Sequence, residues 1–372
     1  MRPIHRKALF ALSVALLITC LSTSLTFAQA GAWTLVSSPN QGTLGNQLFG
    51  VAAVSASNIW AVGDYNDGPF KHDSLTLIQH WNGSSWSIVS SPNPVTGAYN
   101  FDRLQAVAAV SASNVWAVGY YGSNNSGNTK TLIEHWNGAS WNVVVSPNPT
   151  VSQYLYGVAI VSANDIWAVG YYTDQQSQSG SGSLTLHWNG TTWSQVSNPG
   201  TSSLLAVAGV ASNDVWAVGT QILHWNGTQW SIVSNFTPYL TAIAAVSAND
   251  IWAVGFEGEY YSYPRIQHWN GTAWSEVYPP YRYDEDNIFY GVAVLSATSV
   301  WAVGLSGGQS LVEKWNGNRW AIVPSPNTND FDVLQAATAI PATSTVWAVG
   351  EYFKIINNAS VHKTLTEQCI SC

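Results

Sequence analysis

The chain has 372 residues, a net charge of −8 and 20 tryptophans; 13% of its residues are aromatic and only 9% are charged. This composition excludes an intrinsically disordered protein, which has few aromatic residues and many charges. An acidic chain with 12 Lys and Arg residues also argues against nucleic-acid binding, because affinity for phosphates needs clustered cations. We therefore expect a globular protein with a large core.

Residues 1–30 have the pattern of a secretory signal peptide. Three basic residues lie within the first seven positions, an apolar run extends from Ala8 to Cys20, and Ala28-Gln29-Ala30 supplies small residues for cleavage. No later run is long enough to span a bilayer, so we expect a secreted, extracellular protein. A lipid anchor at Cys20 or an uncleaved N-terminal anchor would instead keep it at the cell surface, and the sequence leaves both open.

A short strand is predicted next, in Ala32-Trp33-Thr34-Leu35-Val36-Ser37-Ser38-Pro39-Asn40. This segment closely matches Ser85-Trp86-Ser87-Ile88-Val89-Ser90-Ser91-Pro92-Asn93, the end of an internal repeat. Proline cannot donate to a strand ladder, so the strand ends before Pro39. The segment is therefore the last strand of a repeat whose earlier strands do not precede it.

One repeat then occurs seven times. The string Ile/Val-Trp-Ala-Val-Gly has its tryptophan at Trp60, Trp116, Trp167, Trp216, Trp252, Trp301 and Trp347. The first six copies are each followed by Trp-Asn-Gly-x-x-Trp, which begins at Trp81, Trp136, Trp188, Trp225, Trp269 and Trp315. Short segments rich in Val, Ile, Trp and Thr between Gly, Asn and Pro are strands rather than helices. Each copy therefore predicts a four-stranded antiparallel meander.

Two of the three connections between the strands of each copy are tight turns. A short turn such as Ser247-Ala248-Asn249-Asp250 precedes the Trp-Ala-Val-Gly strand. The Asn-Gly pair predicts a type I′ hairpin between the third and fourth strands, because that turn needs positive φ at both central residues.

The seventh copy is incomplete. It has Trp347 and a third strand around Thr364 to Cys369, but no Trp-Asn-Gly and no fourth strand. The strand near Trp33 can supply the missing piece and close a ring without exposed edges. We therefore predict an all-β, seven-bladed β-propeller over residues 31–372, with its last blade closed by the N-terminal strand.

On these motifs the chain resembles bacterial secreted propellers built from Trp-rich repeats, related to the sialidase-type Asp-box (BNR) and kelch groups. The resemblance implies the fold alone. Trp-Asn-Gly-x-x-Trp stands where the Asp-box has Ser-x-Asp-x-Gly-x-x-Trp, and the kelch Gly-Gly doublet is absent. No functional residue is therefore carried over from those groups.

The variable loops of such a propeller emerge on one face, where binding sites usually lie. They are rich in Tyr, Asn, Ser and Asp, most densely near the fifth and sixth blades. Tyrosine faces beside polar acceptors suit a glycan, and Tyr-rich polar loops suit a protein partner. The predicted ligand-binding residues are Tyr260, Tyr261, Tyr263, Tyr281, Arg282, Tyr283 and Asp284. The alternatives are merely solvated loops or a calcium site at Asp284 to Asp286.

The sequence favours a binding or scaffold protein over an enzyme. Outside the leader there are four arginines, at 103, 265, 282 and 319, too dispersed for the cluster of a sialidase-like site. The loops offer Glu257, Glu259, Asp284 and Glu285 for glycoside hydrolysis, but their spacing selects no pair. We expect a monomer with no cofactor, metal or catalytic residue that binds an extracellular glycan or protein. The alternative is a glycoside hydrolase or sialidase-like enzyme with its site on the same face.

The remaining residues of interest have structural interpretations. The repeated tryptophans fit a core between packed sheets. A histidine just before Trp-Asn-Gly, at positions 80, 135, 187, 224 and 268, fits a repeated hydrogen bond better than a shared metal. Cys369 and Cys372 fit a small local disulfide formed in an oxidising compartment.

Overall fold

The computed structural model describes residues 31–66, 74–95, 99–124, 127–174, 180–235, 239–258, 260–328, 330–356 and 359–372. The predicted signal peptide and Glu259 lie outside these residues. The described part is all-β, with strands joined by turns and loops. It contains no helix with the length and apolar character needed to cross a membrane.

The strands are, in chain order, β1 Trp33–Leu35, β2 Gly45–Ser55, β3 Asn58–Asn66, β4 Leu75–Trp81, β5 Trp86–Val89, β6 Asn100–Ser111, β7 Asn114–Ser123, β8 Thr129–Trp136, β9 Trp141–Val143, β10 Ser152–Ser162, β11 Asp165–Thr173, β12 Ser181–Trp188, β13 Trp193–Gln195 and β14 Leu204–Ala211. They continue as β15 Asp214–Gly219, β16 Gln221–Trp225, β17 Trp230–Asn235, β18 Tyr239–Ser247, β19 Asp250–Glu257, β20 Tyr263–Trp269, β21 Trp274–Glu276, β22 Asn287–Ser296, β23 Ser299–Ser306, β24 Gln309–Trp315, β25 Trp320–Ile322, β26 Phe331–Ala339, β27 Val346–Ile356 and β28 Ala359–Cys369.

Strands pair antiparallel in sets of four, which we call units after their first strand: the β2 (β2–β5), β6 (β6–β9), β10 (β10–β13), β14 (β14–β17), β18 (β18–β21), β22 (β22–β25) and β26 (β26–β28 with β1) units. Hydrogen bonding nevertheless gives six sheets in the described residues, not the seven predicted. The difference arises because a parallel bridge between Ser152 and Thr129 joins the β6 and β10 units into one eight-stranded sheet.

The two ends of the chain complete one unit, as the sequence predicts. Strand β1 pairs with β28, so that Trp33 faces Cys369 and Leu35 faces Glu367. The Asn40 side chain then accepts the backbone N–H of Thr364 at 2.9 Å. Asn93 and Asn148 make the same bond inside the chain, to the N–H of Thr76 at 2.8 Å and of Thr131 at 2.9 Å. The terminal unit is therefore built like the internal ones.

Tryptophans form the core between neighbouring units. The Trp of every Trp-Ala-Val-Gly motif is at most 3% exposed. It packs on tryptophans of a neighbouring unit, which belong to the Trp-Asn-Gly-x-x-Trp motif in every unit except the β26 unit, where Trp33 takes their place. Trp60 contacts Trp136 and Trp141, with ring centroids 4.9 and 5.3 Å apart. The series continues with Trp116 on Trp188 and Trp193, Trp167 on Trp225 and Trp230, Trp216 on Trp269 and Trp274, Trp252 on Trp315 and Trp320, Trp301 on Trp33, and Trp347 on Trp81 and Trp86. Because the last pair leads back to the β2 unit, the units form a closed ring.

The repeated histidines make the predicted structural hydrogen bond. Each ring stacks on the Trp-Ala-Val-Gly tryptophan of its own unit, as His268 does on Trp252 with centroids 4.0 Å apart. Each Nε2 also contacts an Asn or Asp oxygen: His80 with Asn58, His135 with Asn114, His187 with Asp165, His224 with Asp214 and His268 with Asp250, at 2.8–3.1 Å. Burial lowers the pKa of His80 and His135. In the β22 unit Lys314 takes this place, with Nζ 4.8 Å from the Trp301 ring centre.

The glycine of Trp-Ala-Val-Gly is required by a close backbone approach. The first strand of each unit carries a β-bulge opposite this glycine, as between Leu240 and Ala242 in β18. A Cβ on Gly255 would lie 1.8 Å from the carbonyl oxygen of Tyr239. The extra residue of each bulge faces the centre of the ring, where Phe49, Gln105, Tyr156, Leu205, Thr241, Tyr290 and Gln335 line one cavity.

Gly255→Ala is therefore expected to destabilise the protein by about 1–3 kcal/mol, because the backbone of β18 must move away from the added methyl group. Urea unfolding followed by tryptophan fluorescence measures this change. An unaltered unfolding midpoint would show that the close approach is not needed.

The Asn-Gly hairpins differ from the predicted type I′ turn. Gly83 has a φ of +97°, but Asn82 is not among the described residues with positive φ. Trp81 pairs with Trp86, which leaves a four-residue loop closed by a 3.2 Å bond from the Asn82 N–H to the Ser85 carbonyl. The Asn82 Oδ1 also accepts the N–H groups of Ser84 and Ser85. The type I′ prediction is wrong because the loop has four residues rather than two, only its glycine has a positive φ, and the asparagine side chain adds bonds across it.

Candidate binding site on the loop face

The loops before each first strand and after each second strand emerge at the same end of the ring, which we call the loop face. Gly45 at the start of β2 is paired with Asn66 at the end of β3, which places both loops of that unit at this end. Buried side chains hold these loops: Asn46 accepts the N–H groups of Gln41 and Gly42 at 2.8 Å. Asp332 accepts the N–H of Thr328, also at 2.8 Å. Buried side chains therefore fix the described parts of the loops that precede β2 and β26.

The residues singled out in the sequence form a partial cluster. Tyr281 packs between Tyr263 and Tyr283, with ring centroids 5.5 and 4.7 Å away. Tyr260 and Tyr261 are exposed, the former by 94%. Arg282 faces Glu285 at 3.5 Å, and Asp284 is exposed. The structure thus brings together three of the seven predicted residues, as an aromatic surface we call the β20 tyrosine cluster.

A cleft of about 400 Å³, which no pattern in the sequence predicts, lies elsewhere on the loop face. Its walls come from the β26, β2 and β6 units: Leu44, Gly45, Gln47, Asp64, Tyr65, Asn66, Ser74, Arg103, Ser360 and His362. We call it the Arg103 cleft. Its volume falls within the usual range for ligand sites, about 300–1,000 Å³.

Arg103 is fixed at one wall of this cleft. Its Nε donates to Asp64 Oδ2 at 2.9 Å and to Ser74 Oγ at 3.1 Å. The Arg103 side chain is 39% exposed, whereas that of Asp64 is 5% exposed. Burial raises the pKa of the Asp64 carboxyl, although the guanidinium opposes this shift. For Arg103, burial alone would lower the pKa, but Asp64 and the Tyr120 hydroxyl raise it. The guanidinium is therefore a fixed positive charge that still reaches solvent.

Tyrosines continue the surface from Arg103 towards the β10 unit. Tyr120 lies 4.9 Å from Tyr154, which stacks on Tyr171 at 4.7 Å between ring centroids. Tyr156 lies 6.1 Å from Tyr120. Burial raises the pKa of Tyr120 and Tyr171, so these hydroxyls stay protonated at neutral pH. A second cavity of about 220 Å³, lined by Phe101, Arg103, Tyr120 and Asn124, shares the arginine with the cleft.

The opposite wall of the cleft belongs to the β27–β28 hairpin. Gln47 Nε2 donates to Glu351 Oε2 at 2.7 Å, and His362 Nδ1 contacts the same oxygen. Ser360 Oγ lies 3.0 Å from His362 Nε2. In the sequence this wall is marked by the Ser-x-His pattern of residues 360–362, which by itself is too common to indicate a site. No group of three His, Cys, Asp or Glu residues in the described part could hold a metal ion.

Comparison with known proteins shows the fold. No family model and no curated protein matches the chain. Among solved structures it is similar to YCF48 bound to D1 peptide, with a TM-score of 0.59 and 12% identity over 93% of this chain and 99% of that chain. It is also similar to the RRP9 WD40 repeats (TM-score 0.61, 8% identity, 92% and 99% covered) and to U3-55K (0.60, 8%, 91% and 98%). At these identities the likeness shows that the chain is a β-propeller.

Proposed function

We propose that this chain is a secreted, seven-bladed β-propeller that binds a peptide segment of another extracellular protein at the Arg103 cleft. Two observations support the blade count. The central cavity is lined by the bulge residues of β2, β6, β10, β14, β18, β22 and β26. The tryptophan contacts run through the same units and return to the first. On this proposal the eight-stranded sheet is two blades that share the Ser152–Thr129 bridge.

The observation that carries the binding proposal is a fixed, partly exposed arginine between a cleft and a tyrosine surface. Arginine and tyrosine dominate the energetically important residues of protein interfaces. Asp64 and Ser74 hold Arg103 through Nε, so binding would cost this side chain little conformational entropy. A peptide is further supported by the YCF48 structure, in which a propeller of similar fold is bound to a peptide.

Secretion is supported by the signal-like residues 1–30 and by Cys369 and Cys372, which are joined as a disulfide. Disulfides persist mainly in oxidising compartments. Edman sequencing of protein recovered from the culture medium is expected to begin at Gly31, and a monomer is expected by light scattering. Kinship with the Asp-box and kelch propellers remains a proposal that rests on the repeat motifs.

A glycan is the second candidate ligand, and the β20 tyrosine cluster favours it. Three adjacent tyrosine rings beside the exposed Arg282 and Asp284 offer stacking surfaces and hydrogen-bonding groups together. Glycan-array binding that is lost in Tyr281→Ala and kept in Arg103→Ala would place a glycan at the cluster.

Selection of a displayed peptide library on residues 31–372 tests the peptide proposal. Selected peptides are expected to bind Arg103→Ala about 30-fold or more weakly, the loss typical of an interface hot spot of about 2 kcal/mol. Arg319→Ala is the matched control, because Arg319 is exposed in a Trp-Asn-Gly-x-x-Trp hairpin at the opposite face. Equal affinity of both variants would contradict the proposed site, as would a library that yields no binder.

A further inference from the structure

Three side chains on the β27–β28 hairpin form one hydrogen-bonded chain at the wall of the Arg103 cleft. Ser360 Oγ lies 3.0 Å from Nε2 of His362, and Nδ1 of the same ring contacts Glu351 Oε2. Ser360 and His362 are two residues apart on β28, so their side chains leave the strand on the same side. The imidazole therefore joins a hydroxyl to a carboxylate through its two nitrogens.

This order of groups is that of an activated nucleophile. A serine hydroxyl becomes reactive when an adjacent imidazole can take its proton, and a carboxylate on the other ring nitrogen fixes the tautomer and stabilises the imidazolium. Such a set is recognised by geometry and roles, not by sequence position. Here the 3.0 Å separation between Ser360 Oγ and His362 Nε2 is within the reach required for proton transfer.

Solvent exposure increases from the carboxylate to the imidazole to the hydroxyl, as attack by the hydroxyl on an incoming substrate requires. The Glu351 side chain is 10% exposed and is further fixed by Gln47 Nε2 at 2.7 Å. The His362 side chain is 28% exposed, and Ser360 is exposed. The backbone N–H of His362 donates to the Leu44 carbonyl at 3.1 Å, which ties the hairpin to the adjoining loop. The carboxylate is thus held inside while the hydroxyl faces incoming molecules.

We propose that Ser360, His362 and Glu351 form an acyl-transfer centre that cleaves carboxylic esters entering the Arg103 cleft. Ser360 Oγ attacks the ester carbonyl carbon while its proton passes to His362 Nε2. The tetrahedral intermediate collapses as the bond to the alcohol oxygen breaks, and the alcohol takes the proton from the imidazolium. Water then repeats both steps on the acyl-serine, which releases the acid and restores the hydroxyl.

Other groups of the cleft have supporting roles in this proposal. Arg103 lines the same cleft and supplies the positive charge that could face the negatively charged oxygen of the intermediate. Leu44 provides an apolar contact for an acyl chain in this cleft of about 400 Å³. This activity goes beyond the proposed peptide binding and does not depend on it.

A fluorophosphonate probe tests the centre, because it phosphonylates serine hydroxyls that are activated in this way. Residues 31–372 are incubated with the probe, and the adduct is located by intact-mass and peptide-mapping mass spectrometry. We expect one adduct, on Ser360, no adduct in Ser360→Ala, and labelling at least about 100-fold slower in His362→Gln. Glu351→Gln should also slow labelling, since it leaves the imidazole without its carboxylate.

Ser231→Ala is the matched control, because the Ser231 hydroxyl contacts the backbone carbonyl of His224 rather than the imidazole. It is expected to label at the wild-type rate. No adduct on folded wild-type protein, an adduct on another serine, or equal labelling of His362→Gln would overturn the proposal. The two proposals fail separately: folded wild-type protein that binds the selected peptides but carries no adduct overturns this proposal alone, and protein labelled at Ser360 that binds no peptide overturns the peptide proposal alone.

Discussion

A chain that begins at Gln41, and therefore lacks β1 and the segment after it, is expected to unfold at a much lower temperature than residues 31–372. The deletion exposes the edge of β28, where the Thr366 carbonyl accepts a hydrogen bond from the Val36 N–H at 2.9 Å. It also removes Trp33, which is 5% exposed and lies 5.6 Å from Trp301. Burial of one tryptophan side chain contributes roughly 4–6 kcal/mol at 25 cal/mol per Å², a large part of the stability of a typical domain.

Single substitutions refine this test. Trp33→Ala is expected to cost about 3–5 kcal/mol, as for other large core truncations. Trp86→Ala removes the corresponding tryptophan of β5 and should cost a similar amount, whereas Leu35→Ser, at a residue 45% exposed, should cost little. A synthetic peptide of residues 31–40 should restore the melting temperature of the truncated chain. If truncation left that temperature unchanged, β1 would not be part of the folded ring.

Stability is expected to fall as the pH rises from about 5 to 9, because three buried glutamates hold protons in the folded chain. Glu134, Glu313 and Glu367 each face the alanine of Trp-Ala-Val-Gly and are fully buried. Burial raises the pKa of Glu313 to about 9, and that of Glu367 to about 8 despite hydrogen bonds from Ser325 and Ser310. The pKa of Glu134 is also well above its ordinary value of 4.5.

The direction of the effect follows from these shifts. A pKa that is higher in the folded than in the unfolded chain stabilises the fold fully below pH 4.5, and this contribution disappears as the pH passes the folded-state value. One pKa unit corresponds to about 1.4 kcal/mol. A folded-state pKa of Glu313 that lies only one unit above the unfolded value therefore already gives a measurable loss of stability at high pH.

Replacement by glutamine should remove this pH dependence, since Gln79 and Gln267 occupy the same position in the β2 and β18 units. Glu313→Gln is expected to raise the melting temperature at pH 9 and to change it little at pH 5. Glu134→Gln should change the melting temperature in the same way at each pH. Asp284→Asn, which alters an exposed carboxyl group, is the control. A Glu313→Gln effect of equal size at both pH values would show that the carboxyl group is not protonated in the fold.

The fold follows from local patterns that recur along the chain. Each repeat carries its own strand, turn and tryptophan signals, so the four-stranded units and the role of β1 could be predicted from the sequence. The type I′ prediction failed because Asn-Gly fits several turns, and only the pairing of Trp81 with Trp86 fixes the loop length. The number of hydrogen-bonded sheets could not be predicted, because the Ser152–Thr129 bridge depends on how neighbouring units approach each other.

The Arg103 cleft could not be predicted by the same reasoning. It joins Gln47, Arg103 and His362, which become neighbours only when the ring closes. The local density of tyrosine in the sequence instead indicates the cluster in which Tyr281 contacts Tyr263 and Tyr283. A lone arginine has no local signal, and its partners Asp64 and Ser74 lie in another unit.

Crystallography or electron microscopy of residues 31–372 tests the closed ring most directly. We predict seven four-stranded blades, with Trp33 across from Cys369 and the Arg103 guanidinium bonded to Asp64 at one wall of an open cleft. Six or eight blades, or a Trp33 side chain away from β28, would contradict it.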